Sequence, residues 1–237
     1  GMHQGGDVNT EARGATTPVA ERSGIGFRPL LVLFYLSGAA ALVYQVLWLK
    51  QLTRLFGVSA HATSVTLAIF FLGLAAGGWV WGRRAARIRR PLRAYAWLEV
   101  GVGVSALLFF GLFDLFAAVQ APLFATFDYD PTASAVLKFA LAFVILFPAA
   151  FFMGGTLPVM AQFLVRRRED LGRRTTLLYS VNTMGAATGA LLAGFVLPRL
   201  LGLNGAYALA IGIDLFVALV TGWWSRREVL TAPEAEA

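Results

Sequence analysis

Residues 37–52 read SGAAALVYQVLWLKQL, and this stretch decides what kind of fold the chain can adopt. It is apolar enough to lie in lipid, yet Tyr44, Gln45 and Trp48 lie close together within it. A helix that only has to cross a membrane gains nothing from an amide in its apolar run. The stretch therefore predicts a transmembrane helix and leaves three interpretations of Gln45: a hydrogen bond between helices, part of a site, or the mark of a family.

The composition of the whole chain agrees with a protein dissolved in lipid. Of its 237 residues, 58% are hydrophobic and only 14% are charged, whereas soluble domains have about 25% charged residues. The chain has no cysteine and two histidines, which excludes disulfides and thiolate metal sites, so neither a metal nor another cofactor is expected.

Six apolar runs are long enough to cross a bilayer, which needs roughly 20 residues per helix. They cover about residues 30–55, 59–82, 92–119, 133–164, 175–199 and 204–224. We therefore predict an all-α fold, a polytopic bundle of six transmembrane helices. The fourth run contains Pro148, Gly154, Gly155 and Pro158, so we expect it to be kinked or broken, with a seventh short element if the break is complete.

The polar ends of the chain complete the predicted organisation. Residues 1–28 lack an apolar period and are expected to form a disordered cytoplasmic tail. Residues 29–225 form the six-helix transmembrane domain, and residues 226–237 resemble a linker on the cytoplasmic side.

Arginine-rich connections predict the orientation of the bundle. The second and third runs are joined by RRAARIRRPLR, and the fourth and fifth by RRREDLGRR. Basic residues are in excess on the cytoplasmic side of membrane proteins, and these connections and the tails hold most of the 20 Lys and Arg residues. We therefore expect a bacterial inner-membrane protein with both termini in the cytoplasm. The clusters lie against the membrane, so we expect them to contact the lipid bilayer and not nucleic acid.

Pairs of glycines predict which helices pack most closely. Gly73 with Gly77 and Gly78 with Gly82 lie on the second run, and Gly185 with Gly189 lie on the fifth. Small residues spaced four apart let two membrane helices approach each other closely. We therefore expect the second and fifth helices to be central and tightly packed.

Two acidic residues lie inside predicted spans, where ionisable groups are rare and commonly functional. Glu99 lies roughly 10 Å, and Asp214 roughly 15 Å, from the start of its span at 1.5 Å per residue. In one interpretation, both carboxylates line a polar cavity for a cation or a proton. In the other, each bonds a neighbouring helix, Glu99 through an arginine and Asp214 through a hydroxyl group.

The candidate ligand-binding set contains these two acids and six further side chains: Gln45, Asn182, Tyr44, Tyr179, His61 and Trp48. Gln45 and Asn182 alternatively form hydrogen bonds between helices. Tyr44 and Trp48 alternatively belong to the aromatic belt at a membrane surface. No set of nucleophile, base and orienting group can be identified, so no catalytic residue is predicted.

Five segments of the chain carry a resemblance: FYLSGAAALVYQVLWLKQLTRLFG (34–57), ATSVTLAIFFLGLAAGGWVWGRRAAR (62–87), RAYAWLEVGVG (93–103), FPAAFFMGGTLPVMAQF (147–163) and LLYSVNTMGAATGALLAGFVLP (177–198). In this order they resemble the membrane region of the membrane-bound spermidine synthase-like proteins, over about residues 34–219. Gln45 stands where relatives often carry Glu or Gln, which makes Tyr44-Gln45-x-x-Trp48 a family mark.

The resemblance implies a cytoplasmic enzyme as partner. Members typically carry an aminopropyltransferase-like domain after the last helix, which uses decarboxylated S-adenosylmethionine and a polyamine acceptor. That domain contains a Gly-Gly-Gly-Asp-Gly type segment, whereas this chain has none and continues after Trp224 with SRREVLTAPEAEA only. We therefore expect a membrane-only member or the start of a linker, and no aminopropyl transfer by this chain itself.

Two functions follow as expectations. In the first, the chain anchors or serves a cytoplasmic aminopropyltransferase domain or subunit. In the second, it is a carrier of polyamines or other cationic small molecules, because the family's membrane part also resembles half of a major-facilitator transporter. Six helices would then need a partner half, supplied by a homodimer.

Overall fold

The computed structural model describes residues 27–56, 60–126, 130–164 and 171–227. The predicted all-α fold is confirmed, since no strand occurs in these ranges. The helices are α1 (Phe27–Phe56), α2 (Ala60–Ala85), α3 (Pro91–Thr126), α4 (Pro131–Leu164), α5 (Leu171–Leu191) and α6 (Leu197–Trp224), with a π-helical turn (Leu192–Val196) after α5 and a 3₁₀ turn (Ser225–Arg227) at the end. The predictions for the two tails at 1–26 and 228–237 lie outside the described residues.

Five helices in the described chain are long and apolar enough to cross a membrane, where the sequence predicts six. The difference lies in the last of them, where α5, the π-helical turn and α6 form one helical stretch, Gly172–Arg227, of 56 residues. Gly202 interrupts this stretch with φ 69° and ψ 177°. A positive φ of this size is readily adopted only by glycine, so the chain changes direction there without a loop.

The two clusters of buried side chains tell how the helices run. One cluster joins the first halves of α1, α3 and α5 to the second halves of α4 and α6, through Leu30, Leu92, Leu178, Phe163 and Val217. The other joins the far ends, through Trp48, Phe109, Ala142, Ala193 and Tyr207. The helical stretch therefore runs in opposite directions before and after Gly202, which lies near the start of α6. We call the first of these ends the arginine-rich end, defined by Arg83, Arg84, Arg93, Arg174 and Arg226.

Helix α4 is not broken at its prolines. It continues through Pro148 and Pro158 over 34 residues, so the seventh element that a complete break would create does not form. Helices α2 and α3 both pack along α4. Neighbouring helices of this kind allow a membrane helix to accommodate proline without unwinding.

Glycines bring α2 and α4 into backbone contact. A Cβ atom added at Gly77 would overlap the carbonyl group of Phe151, and one at Gly73 would lie 3.1 Å from the carbonyl oxygen of Phe147. Helices can approach this closely only where a side chain is absent. The tight packing predicted for this glycine pair is therefore confirmed.

Helices α1 and α5 meet in the same way. A Cβ atom at Gly185 would overlap the carbonyl group of Tyr35, and one at Gly189 would overlap that of Ala39. The tight packing predicted for the fifth helix is thus also confirmed, with α1 as its partner.

The expectation that these glycine-bearing helices are central is wrong. Of the membrane-length helices, α1 is the most buried and α2 the least. The second pair on α2, Gly78 and Gly82, approaches α4 only at ordinary van der Waals distances. A glycine pair marks one line of close approach and does not require that the rest of the helix be covered.

The two helix pairs are related by a constant interval in the sequence. The contacting residues lie 112 positions apart: Gly73 and Gly185, Gly77 and Gly189, Tyr35 and Phe147, Ala39 and Phe151. Helices α1–α3 and α4–α6 therefore form two repeats. The second helix of each repeat packs on the first helix of the other, α2 on α4 and α5 on α1. Because each repeat has three helices that alternate in direction, the two repeats have opposite orientations.

We predict that Gly77→Ala lowers the free energy of unfolding by about 1–3 kcal/mol, because the methyl group meets a carbonyl group of α4. Gly103→Ala is the matched control, since a Cβ atom there has no atom within 4 Å. We expect the control to be neutral or more stable by up to about 1 kcal/mol, because alanine favours helix over glycine. Unfolding in mixed micelles with a denaturing detergent measures both, and equal effects would contradict the backbone contact.

Candidate functional site

A cavity of about 90 Å³ lies at the centre of the bundle. All six helices contribute to its lining, among them α1 with Ser37, α2 with Phe70, α3 with Glu99, α5 with Asn182 and α6 with Asp214. Because the two predicted intramembrane acids both line it, this cavity is the candidate site.

Glu99 is buried in α3, with 1% of its surface exposed. The hydroxyl group of Ser37 on α1 donates a hydrogen bond of 2.6 Å to its Oε1 atom. Its Oε2 atom is buried and has no hydrogen-bond partner among the described residues. The predicted bond from Glu99 to an arginine is therefore wrong, because the helix that faces it, α1, supplies a serine at this level.

Asp214 is equally buried in α6, with 1% of its surface exposed. The hydroxyl group of Tyr44 on α1 donates a hydrogen bond of 2.8 Å to its Oδ2 atom. The prediction that Asp214 bonds a hydroxyl group on a neighbouring helix is confirmed. It also brings Tyr44 into the site.

The two carboxyl groups are neighbours. Glu99 and Asp214 lie close enough to interact electrostatically, and Tyr95, one turn before Glu99, faces the same carboxyl group. No Lys, Arg or His side chain lines the described cavity. Two buried acids without a cationic partner are unfavourable as charged groups, because burial removes hydration and like charges repel.

An aromatic chain extends from the acids toward the far end of the bundle. Tyr44 stacks on Trp48 with ring centroids 5.5 Å apart. The indole Nε1 of Trp48 donates to the hydroxyl of Tyr207 (2.8 Å), which donates in turn to the carbonyl of Ala106 (2.9 Å). The alternative assignment of Tyr44 and Trp48 to an aromatic belt is wrong, since Trp48 is only 1% exposed. Their depth along α1 fits a belt, but both face the bundle interior.

The other predicted site residues do not all join the cavity. Asn182 lines it, where Gly38 on α1 leaves room for its side-chain oxygen. Gln45 is nearly buried but does not line the cavity, and its side chain forms no hydrogen bond with a described residue. Tyr179 is 59% exposed, away from the cavity. The His61 side chain lies outside the described residues.

Sequence reasoning did not identify three polar residues of the site, Ser37, Tyr95 and Thr156. Ser37 precedes Tyr44 by seven residues, and Tyr95 precedes Glu99 by four. Both spacings place the two side chains of a pair on one face of a helix. The helical period of the sequence could therefore have identified Ser37 and Tyr95. No such spacing marks Thr156. Its hydroxyl group donates a hydrogen bond to the carbonyl of Met153 in its own helix.

The lining of the cavity follows the same 112-residue interval as the helix pairs. The pairs of lining residues are Ala41 and Met153, Phe70 and Asn182, Leu74 and Ala186, and Val102 and Asp214. The cavity thus lies where the two repeats meet. Its chemistry is asymmetric, because Asp214 corresponds to a valine and Glu99 to Ile211.

Comparison with known proteins gives no further guidance. No family model, no curated protein and no solved structure matches the chain. In the described ranges no group of three or more His, Asp or Glu side chains gathers as metal ligands would.

We predict that Tyr207→Phe lowers the free energy of unfolding by about 1–3 kcal/mol, since it leaves the buried Trp48 Nε1 without an acceptor. Tyr95→Phe is the matched control. Tyr95 occupies the equivalent place in the first repeat, 112 positions earlier, but its buried hydroxyl forms no hydrogen bond within the described part of the chain. Detergent unfolding of both variants is the measurement, and a loss at Tyr95 as large as at Tyr207 would contradict this assignment.

Proposed function

We propose that this chain is a multi-pass membrane protein of the carrier type, whose central cavity binds a cationic ammonium group between Glu99 and Asp214 in exchange for a proton. The observation that carries the proposal is that both acids line one cavity that no described cationic side chain enters. Intramembrane acids of this kind commonly mark the pathway of an ion or a substrate.

The charge of the site supports exchange. Ser37 and Tyr44 each give one hydrogen bond to a carboxyl group, but neither brings a positive charge. In the empty site, bound protons keep the pair neutral, because unpaired charges are costly in a low-dielectric interior. A bound ammonium group supplies the positive charge instead, so cation and proton compete. The unpartnered Oε2 atom of Glu99 is an acceptor available to such a group.

The size of the cavity limits the ligand. Its volume of about 90 Å³ corresponds to about three water molecules at about 30 Å³ each in liquid water. This is room for one ammonium group with a short methylene segment. The resemblance to spermidine synthase-like proteins favours the end of a polyamine over other cations.

The paired repeats support the carrier class. Many carriers consist of repeats of opposite orientation, with the binding site between them near the middle of the membrane. Here the cavity is lined by equivalent positions of both repeats. A carrier built this way alternates between two openings by moving one repeat against the other. A second copy of the chain would supply the other half of a full transporter.

We include in the proposal six crossings, with both termini on the cytoplasmic side of the inner membrane. The reversal of the helical stretch at Gly202 supports six, because α5 and α6 then cross separately. The excess of arginine at one end of the bundle supports the cytoplasmic assignment of that end.

A second candidate function is to anchor or serve a cytoplasmic aminopropyltransferase, and the sequence resemblance favours it. Uptake of labelled spermidine by liposomes that contain the full chain separates the two. Uptake that is lost in Glu99→Gln supports the carrier. Absence of uptake in a folded, oriented preparation supports the anchor.

We predict that spermidine binding releases protons and strengthens as pH rises, by up to about tenfold per pH unit for one exchanged proton. At low pH the carboxyl groups hold their protons and exclude the cation, so binding weakens there. Calorimetric titration in two buffers with different ionisation enthalpies counts the protons. Propylammonium serves as a probe with a single ammonium group.

The matched variants for this experiment are Glu99→Gln, Asp214→Asn and Asp114→Asn. The first two remove an ionisable carboxyl group from the cavity and should abolish proton-coupled binding. The third removes an exposed acid from the same helix as Glu99 and should leave binding unchanged. Binding that does not depend on pH, or equal losses in all three variants, would overturn the proposal.

A cysteine scan tests the six crossings, since the chain contains no cysteine of its own. We expect Arg28→Cys and Arg226→Cys to react with an impermeant maleimide from the same side of the membrane. Thr132→Cys, at the start of α4, should react from the opposite side. Labelling of positions 28 and 226 from opposite sides would indicate an odd number of crossings.

A further inference from the structure

A groove of about 580 Å³ lies between α3 and α6 at the arginine-rich end, separate from the central cavity. Its lining includes Arg93, Ala96, Trp97, Gly222, Trp223 and Arg226. The proposed function does not use any of these residues.

The floor of the groove is apolar and made of small residues. A Cβ atom at Gly222 would lie 3.8 Å from the Cβ of Ala96, an ordinary van der Waals distance, so these two small residues leave a trough between the larger side chains around them. Trp97 and Trp223 flank the trough and are 64% and 53% exposed. Tryptophan at the end of a membrane helix typically lies at the level of the lipid headgroups.

The mouth of the groove is cationic. Arg93 lies in the first turn of α3, and Arg226 lies in the 3₁₀ turn that follows α6. Neither pairs with an acid among the residues that the structure describes. The adjacent Arg227 stacks over Trp223 at 4.9 Å from the ring centroid. Two exposed guanidinium groups therefore face the point where the apolar trough meets water.

A phospholipid with an anionic headgroup matches both parts of this surface. Guanidinium groups bind phosphate oxygens through charge-assisted hydrogen bonds, and an acyl chain fits an apolar trough between helices. A soluble phosphate would leave the trough empty, and an uncharged lipid would leave the two arginines without an anion.

We propose that this groove is a binding site for an anionic phospholipid, with the phosphate between Arg93 and Arg226 and an acyl chain on Ala96 and Gly222. The site belongs to the membrane leaflet at the arginine-rich end. It stands independently of the central cavity, since Glu99 and Asp214 take no part in it.

The test counts the lipids bound to the purified full chain by native mass spectrometry during titration with phosphatidylglycerol or phosphatidylcholine. We expect saturable binding of phosphatidylglycerol at least tenfold tighter than that of phosphatidylcholine. The double variant Arg93→Gln/Arg226→Gln should weaken the binding of phosphatidylglycerol by about tenfold, because it removes two charge-assisted contacts.

The matched control is Arg83→Gln/Arg84→Gln. It removes the same charge from the same end, where Arg83 stacks on the exposed Trp79 (4.4 Å), and neither arginine lines this groove. We expect less than a twofold effect. A third variant, Gly222→Leu, fills the trough without changing charge and should also weaken binding of phosphatidylglycerol.

Three outcomes would overturn the lipid site. One is equal binding of the two lipids, which would indicate an ordinary lipid shell. Another is an equal loss in the control variant, which would indicate a diffuse effect of charge. The third is full displacement by glycerol 1-phosphate with no effect of Gly222→Leu, which would indicate a phosphate site without an acyl chain.

Discussion

Backbone contact between helices is the constraint on which this bundle depends. Four glycines bring α2 against α4 and α5 against α1 at distances that no side chain would permit. Lipid competes for apolar surface, so membrane helices gain little from burying more of it, and close approach must hold them together. Each tight pair joins a helix of one repeat to a helix of the other, and the central cavity lies between the two pairs. The packing and the site are thus consequences of the same four positions.

Local patterns predict much of this arrangement. The apolar runs of the sequence match α1, α2 and α4 within a few residues, because span length depends on the bilayer and not on the partners of each helix. The end of α3 and the boundary between α5 and α6 differ by seven or eight residues. The glycine spacing predicts close packing of α2 and α5, since four-residue spacing is a property of one helix. The identity of the helix that packs against each glycine pair does not follow from local sequence. Only the three-dimensional structure shows that α1 is the partner of α5.

The direction in which a side chain points from its helix is harder to predict from sequence than its depth in the membrane. Glu99 and Asp214 stand out as charges in apolar runs, but their meeting depends on the crossing of α3 and α6. Trp48 has the depth of a belt residue and the orientation of a core residue. Gly202 lies among leucines in an apolar segment, so nothing in its surroundings marks the positive φ that ends one helix and starts the next.

One helix carries the donors for both acids. Ser37 and Tyr44 are seven residues apart on α1, two turns of the same face, and each holds a carboxyl group from a different helix. Gly185 and Gly189 bring α5 into backbone contact with α1, so a movement of α1 as a whole carries both donors and involves α5. Sliding or rotation of this helix pair would break both hydrogen bonds in one movement. The two acids would then lose their hydrogen-bond donors together.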